Sequence, residues 1–321
     1  MQVSYVLPIR VATATSTEMA QYLGWLASRV ELIVVDGSPA EVYEQHHRAW
    51  SRFPARHVPP RDELRRFANG KVAGVLTGLN LASHRAVIIA DDDVRYDDAA
   101  LGAMGRLLDT AHVVRPQNYF DPVPWHACFD TARTLLNRVS GGDWPGTIGV
   151  QRATLIATRG YDGDVLFENL ELVRTVIAAG GSEACPLDLY VRRLPPSSRH
   201  YWSQRVRQAY DEFARPWRLA CWLAVLPLSA AAIVSSAWRA LGAATMIVIG
   251  AAEIGRRRAG GARVFPFAAS IAAPAWLCER AICAWLAVAA HVRWGGMPYR
   301  DRIIARAATP LRQLERRLKR A

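Results

Sequence analysis

The chain has 321 residues, of which 51% are hydrophobic and only 21% charged, which excludes a disordered polymer and allows one large α/β domain with an appendage. Its net charge of +12 is unevenly distributed: residues 199–321 carry 20 basic and 6 acidic side chains, leaving 20 against 22 before them. A near-neutral body followed by a basic, Trp-rich segment fits attachment to an anionic membrane surface and argues against a nucleic-acid partner.

From residue 1 to about 195, short apolar runs alternate with amphipathic stretches, the pattern of a mostly parallel sheet with crossover helices. Strands are expected at 2–8, 31–36, 55–60, 86–91, 112–116, 147–151 and 186–191, and helices near 17–28, 69–83, 97–109, 125–138 and 167–179. A polar connector, RRLPPSSRH (192–200), then leads into an amphipathic helix over 199–214. LACWLAVLPLSAAAIVSSAW (219–238) is uncharged over 20 residues. At about 1.5 Å per residue it matches a hydrocarbon core of roughly 30 Å. Arg218 and Arg239, with Trp217, Trp222 and Trp238, flank it as interfacial anchors.

A second, shorter span is expected near 240–255, carrying Glu253. RRRAGGAR (256–263) follows with four arginines, which belong on the cytosolic side by the positive-inside rule. The segment 264–290 is apolar but interrupted by Glu279 and Arg280, and the tail from 293 carries nine basic and two acidic residues. A third crossing would put that tail outside, so an in-plane or re-entrant helix pair is expected there, with a complete third span as the competing reading. The expected division is thus a cytosolic domain over 1–198, an interfacial helix over 199–216, a membrane region over 217–292 and a basic cytosolic tail over 293–321. The first residues, MQVSYVLPIR, lack the basic and apolar regions of a cleavable leader, which fits a cytosolic body on an inner or plasma membrane. Cys128, Cys185, Cys221, Cys278 and Cys283 form no C-x-x-C pair, so neither a disulfide framework nor a zinc site is expected.

AVIIADDDVRYDD (86–98) is an apolar strand ending in Asp91, Asp92 and Asp93. Ligands of parallel sheets bind at such carboxyl ends, and strand alternation puts Asp91 and Asp93 on one side. Hard oxygen donors of this kind suit Mg²⁺ or Mn²⁺ bridging a diphosphate, although an aspartate run alone is more often a solvated turn. ELIVVDGSP puts Asp36 at another strand end, VSYVLPIR brings Pro8 and Arg10 to a third, and NGKVAGVLTGLNLASH (69–84) presents Lys71 in the first turn of a helix. A lysine there opposes the helix dipole and suggests an anionic partner.

Strand-Pro, VVDGSP, NGKVAGVLTGLN and IIADDDV, in this order, resemble the nucleotide-sugar-binding half of a family 2 glycosyltransferase, over roughly residues 1–195. The stretch is similar to membrane-bound members of the ceramide-glucosyltransferase-like and processive polysaccharide-synthase-like kinds. The resemblance implies an α/β GT-A fold, a mostly parallel sheet with flanking helices, followed by C-terminal interfacial and transmembrane helices. It implies that Pro8 and Asp36 line the base and ribose pocket with Arg10 beside them, that Lys71 lies near the nucleotide, and that Asp91 and Asp93 are the D-x-D carboxylates holding a divalent cation.

GTIGVQRATLIATRGYDGDVLFENLELVRTV (146–176) resembles the family's acceptor-side stretch ending in E-D-x-E-L, here Glu168, Asn169, Leu170, Glu171, Leu172. Asn169 stands where the family has its catalytic aspartate, and an amide cannot take a proton from an acceptor hydroxyl. Helical spacing offers Glu168 as the base, with Glu171 and Asp164 behind it; mutual repulsion on a shared face would raise one pKa, and the bland alternative is an acidic face without chemistry. HYWSQRVRQAYDEF (200–213) resembles the Q-x-x-R-W element, with Gln208 in place of tryptophan. Arg207 is then a diphosphate clamp and His200, Gln204 and Gln208 face acceptor or product; otherwise the segment is an interfacial helix meeting lipid headgroups. WGGMPYRDR (294–302) resembles the cytosolic tail of membrane-bound members.

The expected function is transfer of a sugar, with inversion, from a nucleoside-diphosphate donor, UDP-linked by resemblance, to a lipid or glycan acceptor. A non-catalytic nucleotide-sugar-binding subunit, favoured by Asn169, is the leading alternative. A nucleotidyltransferase would need a stronger triphosphate loop, and a purely structural anchor would leave four ordered motifs unexplained.

Overall fold

The computed structural model describes residues 1–299 and 302–320; Arg300 and Asp301, within the WGGMPYRDR stretch, lie outside the described residues. The chain forms two compact units, the first made of Met1–Pro116, Pro145–Val191 and the tail from Thr309, the second of Gln117–Trp144 and Arg192–Ala308. Residues 117–144 therefore group with the C-terminal half, and the tail groups with the first unit rather than standing alone.

The first unit is built on seven strands: β1 (Val3–Ile9), β2 (Glu31–Asp36), β3 (Ala55–Val58), β4 (Ala86–Ala90), β5 (Val113–Val114), β6 (Thr147–Gln151) and β7 (Glu183–Ala184), in the spatial order β3-β2-β1-β4-β6-β5-β7. β1 to β4 run parallel, whereas β6 is antiparallel to both its neighbours. The helices in chain order are α1 (Thr17–Ala27), α2 (Ala40–Trp50), α3 (Gly70–Leu81), α4 (Asp98–Thr110), α5 (Trp125–Arg138), α6 (Arg152–Ala157), α7 (Glu168–Ala178), α8 (Ser198–Ala209), α9 (Pro216–Val234), α10 (Trp238–Arg257), α11 (Phe267–Trp294) and α12 (Leu311–Leu318). Of these, α5 and α8–α11 belong to the second unit.

β1, β2, β4 and β6 are apolar almost throughout and are buried on both faces, as strands covered by helices on both sides must be. α3 lies close over β1 because it turns glycines toward the strand: a Cβ at Gly74 would stand 2.8 Å from Pro8 Cβ, and one at Gly78 only 2.3 Å from Val6 Cγ1. That close approach sets α3's N-terminus at the carboxyl rim of the sheet.

Two local expectations need correction. α2 was not expected, because its buried face is only Val42, His46 and Trp50, and a histidine breaks the apolar period. The strand expected over 186–191 begins instead as a turn at Leu187 and Asp188, and only Tyr190–Arg193 is extended. The acidic Asp188 and preceding Pro186 suit a turn better than a strand interior.

In the second unit, three helices are long and apolar enough to cross a membrane: Pro216–Val234, Trp238–Arg263 including a terminal turn, and Phe267–Trp294. The second is longer than expected and puts Glu253 near its end, paired with Arg256 at 2.7 Å and Arg257 at 2.6 Å. The third is one continuous helix of 28 residues, not a pair of short ones, and runs through Pro274. Glu279 in its middle meets the buried Arg205 of α8 at 2.6 Å, and Arg280 pairs with Asp211 and, at 3.2 Å, with Glu212.

Candidate active site

The carboxyl ends of β1, β2 and β4 reach one rim. Strand register pairs Ile9 with Asp36 and Val6 with Ile89, so Pro8, Asp36 and the residues after Ala90 emerge at the same level. The Asp91 amide donates to the Gly146 carbonyl at 2.8 Å and its own carbonyl accepts from Val94 at 3.2 Å, which fixes the turn bearing Asp91, Asp92 and Asp93. All three aspartates are partly exposed.

Lys71 reaches this turn from α3. Its Nζ is 2.5 Å from Asp91 Oδ1 and 2.7 Å from Glu168 Oε1, so one ammonium joins the first D-x-D carboxylate to the first residue of α7. Burial alone would lower the Lys71 pKa, but Asp91 and Glu168 outweigh it and hold the amine well above the ordinary lysine value. Asn69, the cap of α3, accepts from the Lys71 amide at 3.2 Å and donates from Nδ2 to Glu168 Oε2 at 3.3 Å. Both oxygens of Glu168 are thereby held as acceptors. Tyr161 is buried, which pushes its hydroxyl pKa up, and the Glu168 charge adds to that.

The other acidic candidates are directed elsewhere. Glu171 is fully buried, and its Oε2 accepts from the Thr309 amide at 2.6 Å. Asp164 is exposed and accepts from the Ala68 amide at 2.9 Å. The acidic face expected on α7 is therefore split, and charge repulsion between Glu168 and Glu171 is not what organises it. The Asn169 amide donates to the Pro145 carbonyl at 3.1 Å, a bond that an aspartate could not make.

Asp36 is closed off from solvent. Its carboxylate accepts from His46 Nδ1 at 2.7 Å, His57 Nε2 at 3.2 Å and the Ser38 amide at 2.8 Å. His46 Nε2 accepts from the Thr15 amide at 3.0 Å, so Nδ1 carries the proton given to Asp36. Burial pushes Asp36 up, but the bonds from His57, Ser38 and His46 outweigh it and hold the carboxyl far below the usual range. A donor-binding role for Asp36 would need that cage to open. Pro8 packs beneath Gly74, and Arg10 is exposed just beyond β1.

The residues of the Q-x-x-R-W-like stretch belong to the second unit. His200 is exposed, Gln204 and Arg207 are half-buried, and the Arg207 guanidinium sits 5.3 Å from the Tyr299 ring centre. Gln208 accepts from Arg205 at 2.7 Å and is thus part of a buried ion-pair group with Asp130 and Glu279. Sequence reasoning missed Arg205, His46, His57 and Asn69 as organising groups. Only Asn69 had a signal, as a helix cap.

Among the described residues no three His, Cys, Asp or Glu side chains cluster as a metal site. Two hard carboxylates on one turn nevertheless fit a cation that completes its shell with phosphate oxygens and water. Asp91 and Asp93 thus have the chemistry for Mg²⁺ or Mn²⁺, but not as a closed protein cage.

No family model matches the chain, and no curated protein matches by sequence. Among solved structures, a mannosyltransferase from Pyrobaculum calidifontis, in complex with GDP-Man and Mn²⁺, aligns at 18% identity over 88% of this chain and 87% of that one, with a TM-score of 0.54. TarS 1–349 of S. aureus with UDP-GlcNAc aligns at 16% identity over 63% and 61% (TM-score 0.43), and a mannosyl-3-phosphoglycerate synthase from Rubrobacter xylanophilus at 18% over 64% and 74% (TM-score 0.42). The last two superpose too loosely to bear weight. The first agrees with the α/β architecture described above, a mostly parallel sheet with flanking helices and apolar C-terminal helices, and the fold is of the GT-A type.

Proposed function

We propose that the chain is a membrane-attached glycosyltransferase of the family 2 kind, moving a sugar from a nucleoside-diphosphate donor, UDP-linked by the sequence resemblance, to a lipid or glycan acceptor with inversion. The observation that carries this reading is the convergence of Lys71, Asp91 and Glu168 at the rim where parallel sheets bind ligands. The solved mannosyltransferase with its GDP-Man and Mn²⁺ supports a nucleotide-sugar donor and a divalent cation.

Asp91 and Asp93 would hold the cation, which when bound offsets the charge of the departing diphosphate. The Lys71 ammonium has three N–H donors, of which two meet Asp91 and Glu168, leaving the third for a phosphate oxygen. Glu168 takes the acceptor hydroxyl proton as that oxygen bonds to the anomeric carbon and the bond to the diphosphate breaks on the opposite side. Asn69 and Lys71 orient the carboxylate for that step. Arg207 and Gln204 are assigned to the acceptor or product, with His200 beside them; Gln204 Oε1 is buried without a hydrogen-bond partner among the described residues, as a group awaiting a hydroxyl would be.

The second reading, a nucleotide-sugar-binding subunit without turnover, draws on Asn169, whose amide serves Pro145 rather than chemistry. A donor panel decides between them: purified protein is given UDP- and GDP-sugars with membrane lipid extract, with and without Mn²⁺, and nucleoside diphosphate release is followed. Cation-dependent release that needs the extract supports transfer. Donor binding without release in every mixture would favour the subunit.

A further inference from the structure

We propose that only α9 and α10 cross the bilayer, as a hairpin, and that α11 lies along the membrane interface on the side of the first unit, with its exposed apolar stripe against lipid. The inference rests on membrane attachment, not on the transferase reading.

Chain connectivity is the first support. The Thr309 amide donates to Glu171 at 2.6 Å and its carbonyl accepts from Arg174 at 3.0 Å, both within α7, and α12 packs on the same helix. The tail and residues 1–116 are thus parts of one folded unit and must lie on one side of a membrane. An even number of crossings separates Val191 from Thr309. Residues 295–308 are too few to be one of them, since about 20 are needed. They include the short paired strands Met297–Tyr299 and Arg302–Ile304.

Charge is the second, independent support. α8 and residues 210–214 follow the first unit with no apolar run between, so they lie on its side. Arg205 reaches Glu279 at 2.6 Å and Asp130 at 3.0 Å, and Glu212 reaches Arg280 at 3.2 Å, so the midpoint of α11 is tied to them. A spanning α11 would carry this whole charged group to the bilayer centre, where each charge is costly; an interfacial one leaves it at the polar boundary.

The hairpin accounts for the other two helices. Both of its ends are held on the near side: Arg218 and Trp222 at the start of α9 each meet Glu212 Oε1 at 3.0 Å, and Arg138 of α5 donates to the Gly255 and Arg258 carbonyls at 3.1 and 2.6 Å where α10 ends. The turn at residues 235–237 then falls on the far side, and Arg256, Arg257, Arg258 and Arg263 on the near side. α11 exposes Phe267, Ile271, Cys278, Ile282, Trp285 and Val292 at helical spacing, a stripe without charge along one face, while the opposite face is buried.

The test uses the full chain in vesicles of mixed zwitterionic and anionic lipid. Co-flotation comes first, and its absence defeats attachment itself and the topology with it. An impermeant thiol reagent is then applied to Glu41→Cys, Ser235→Cys and Gln313→Cys in a background free of other cysteines. Glu41→Cys and Gln313→Cys should react from the same side and Ser235→Cys from the other. Spin labels at Ile271→Cys, the native Cys278, Ile282→Cys and Val292→Cys should report one shallow depth. Reaction of Gln313→Cys from the side opposite Glu41→Cys, or depths that pass through the midplane, would overturn the proposal. So would strong dipolar coupling between Cys278 labels, which would mean a second copy covers the stripe. Protease applied to the unaltered chain gives a check free of substitutions: the tail should be cut only from the side on which the first unit is cut.

Discussion

Lys71 Nζ stands 2.5 Å from Asp91 Oδ1, so the first carboxylate of the D-x-D turn is neutralised by a lysine from a different element before any ligand arrives. The same ammonium reaches Glu168 at 2.7 Å, and it keeps two carboxylates from facing one another without a cation. Replacing it with a neutral residue of similar size should therefore affect both stability and binding. Lys71→Met should lower stability by about 1–2 kcal/mol, a modest figure because the group is partly exposed to solvent. It should weaken nucleotide binding by about tenfold, roughly 1.4 kcal/mol. Thermal melting and calorimetric titration with UDP check the two halves separately.

The base assignment separates by substitution. Glu168→Gln should lower kcat by about 10²–10⁴-fold, the range of general base catalysis, with donor affinity changed by less than about threefold. Asp164→Asn should change kcat by less than about threefold on the same scale. Asn169→Asp should not restore a base. It would set a carboxylate against the Pro145 carbonyl, now 3.1 Å from the amide, and cost about 1–3 kcal/mol of stability. Steady-state kinetics and melting of the three variants distinguish these outcomes.

Acid sensitivity follows from Asp36. Its folded pKa lies far below the unfolded value, so its contribution is complete above about pH 4, declines as the pH falls below that, and is fully lost only when the pH passes the depressed folded pKa. Asp36→Asn should cost about 2 kcal/mol at pH 7 and about 1 kcal/mol less near pH 3, where the unfolded carboxyl is mostly protonated while the folded one is still ionised. Urea unfolding at both pH values measures the gap, which should narrow with acid; a constant gap would mean the cage of His46, His57 and Ser38 does not hold a charge.

Helix seating can be probed without touching the site. Gly78→Ala would bring a Cβ to 2.3 Å from Val6 Cγ1 and should destabilise by about 1–3 kcal/mol. Gly242→Ala, where nothing lies within 4 Å, should leave the melting temperature unchanged or slightly raised.

Much of the fold was legible because local periodicity encodes it. The strands at 31–36 and 147–151 fall where the apolar runs place them, and α3 starts at the Asn-Gly pair. α2 was hidden because His46 fills a core position, serving Asp36 instead of an apolar neighbour. The candidate site was legible as a set of carboxylates and one lysine, but not as a network. Asn69 and Glu168 are 99 positions apart, and no linear pattern encodes a bond across that distance. The same holds for Glu279 and Arg280, which interrupt an apolar run in sequence yet are neutralised by partners 68 to 74 residues away.

The claim that the rim of the sheet grips a cation together with a diphosphate is tested most directly by Mn²⁺ binding, followed by electron paramagnetic resonance on the full protein with and without UDP. The account predicts that UDP creates a bound Mn²⁺ signal in the unaltered protein, lost in Asp93→Asn and in Asp91→Asn. A bound signal of full size in both variants, or none in the unaltered protein at saturating UDP, would contradict it.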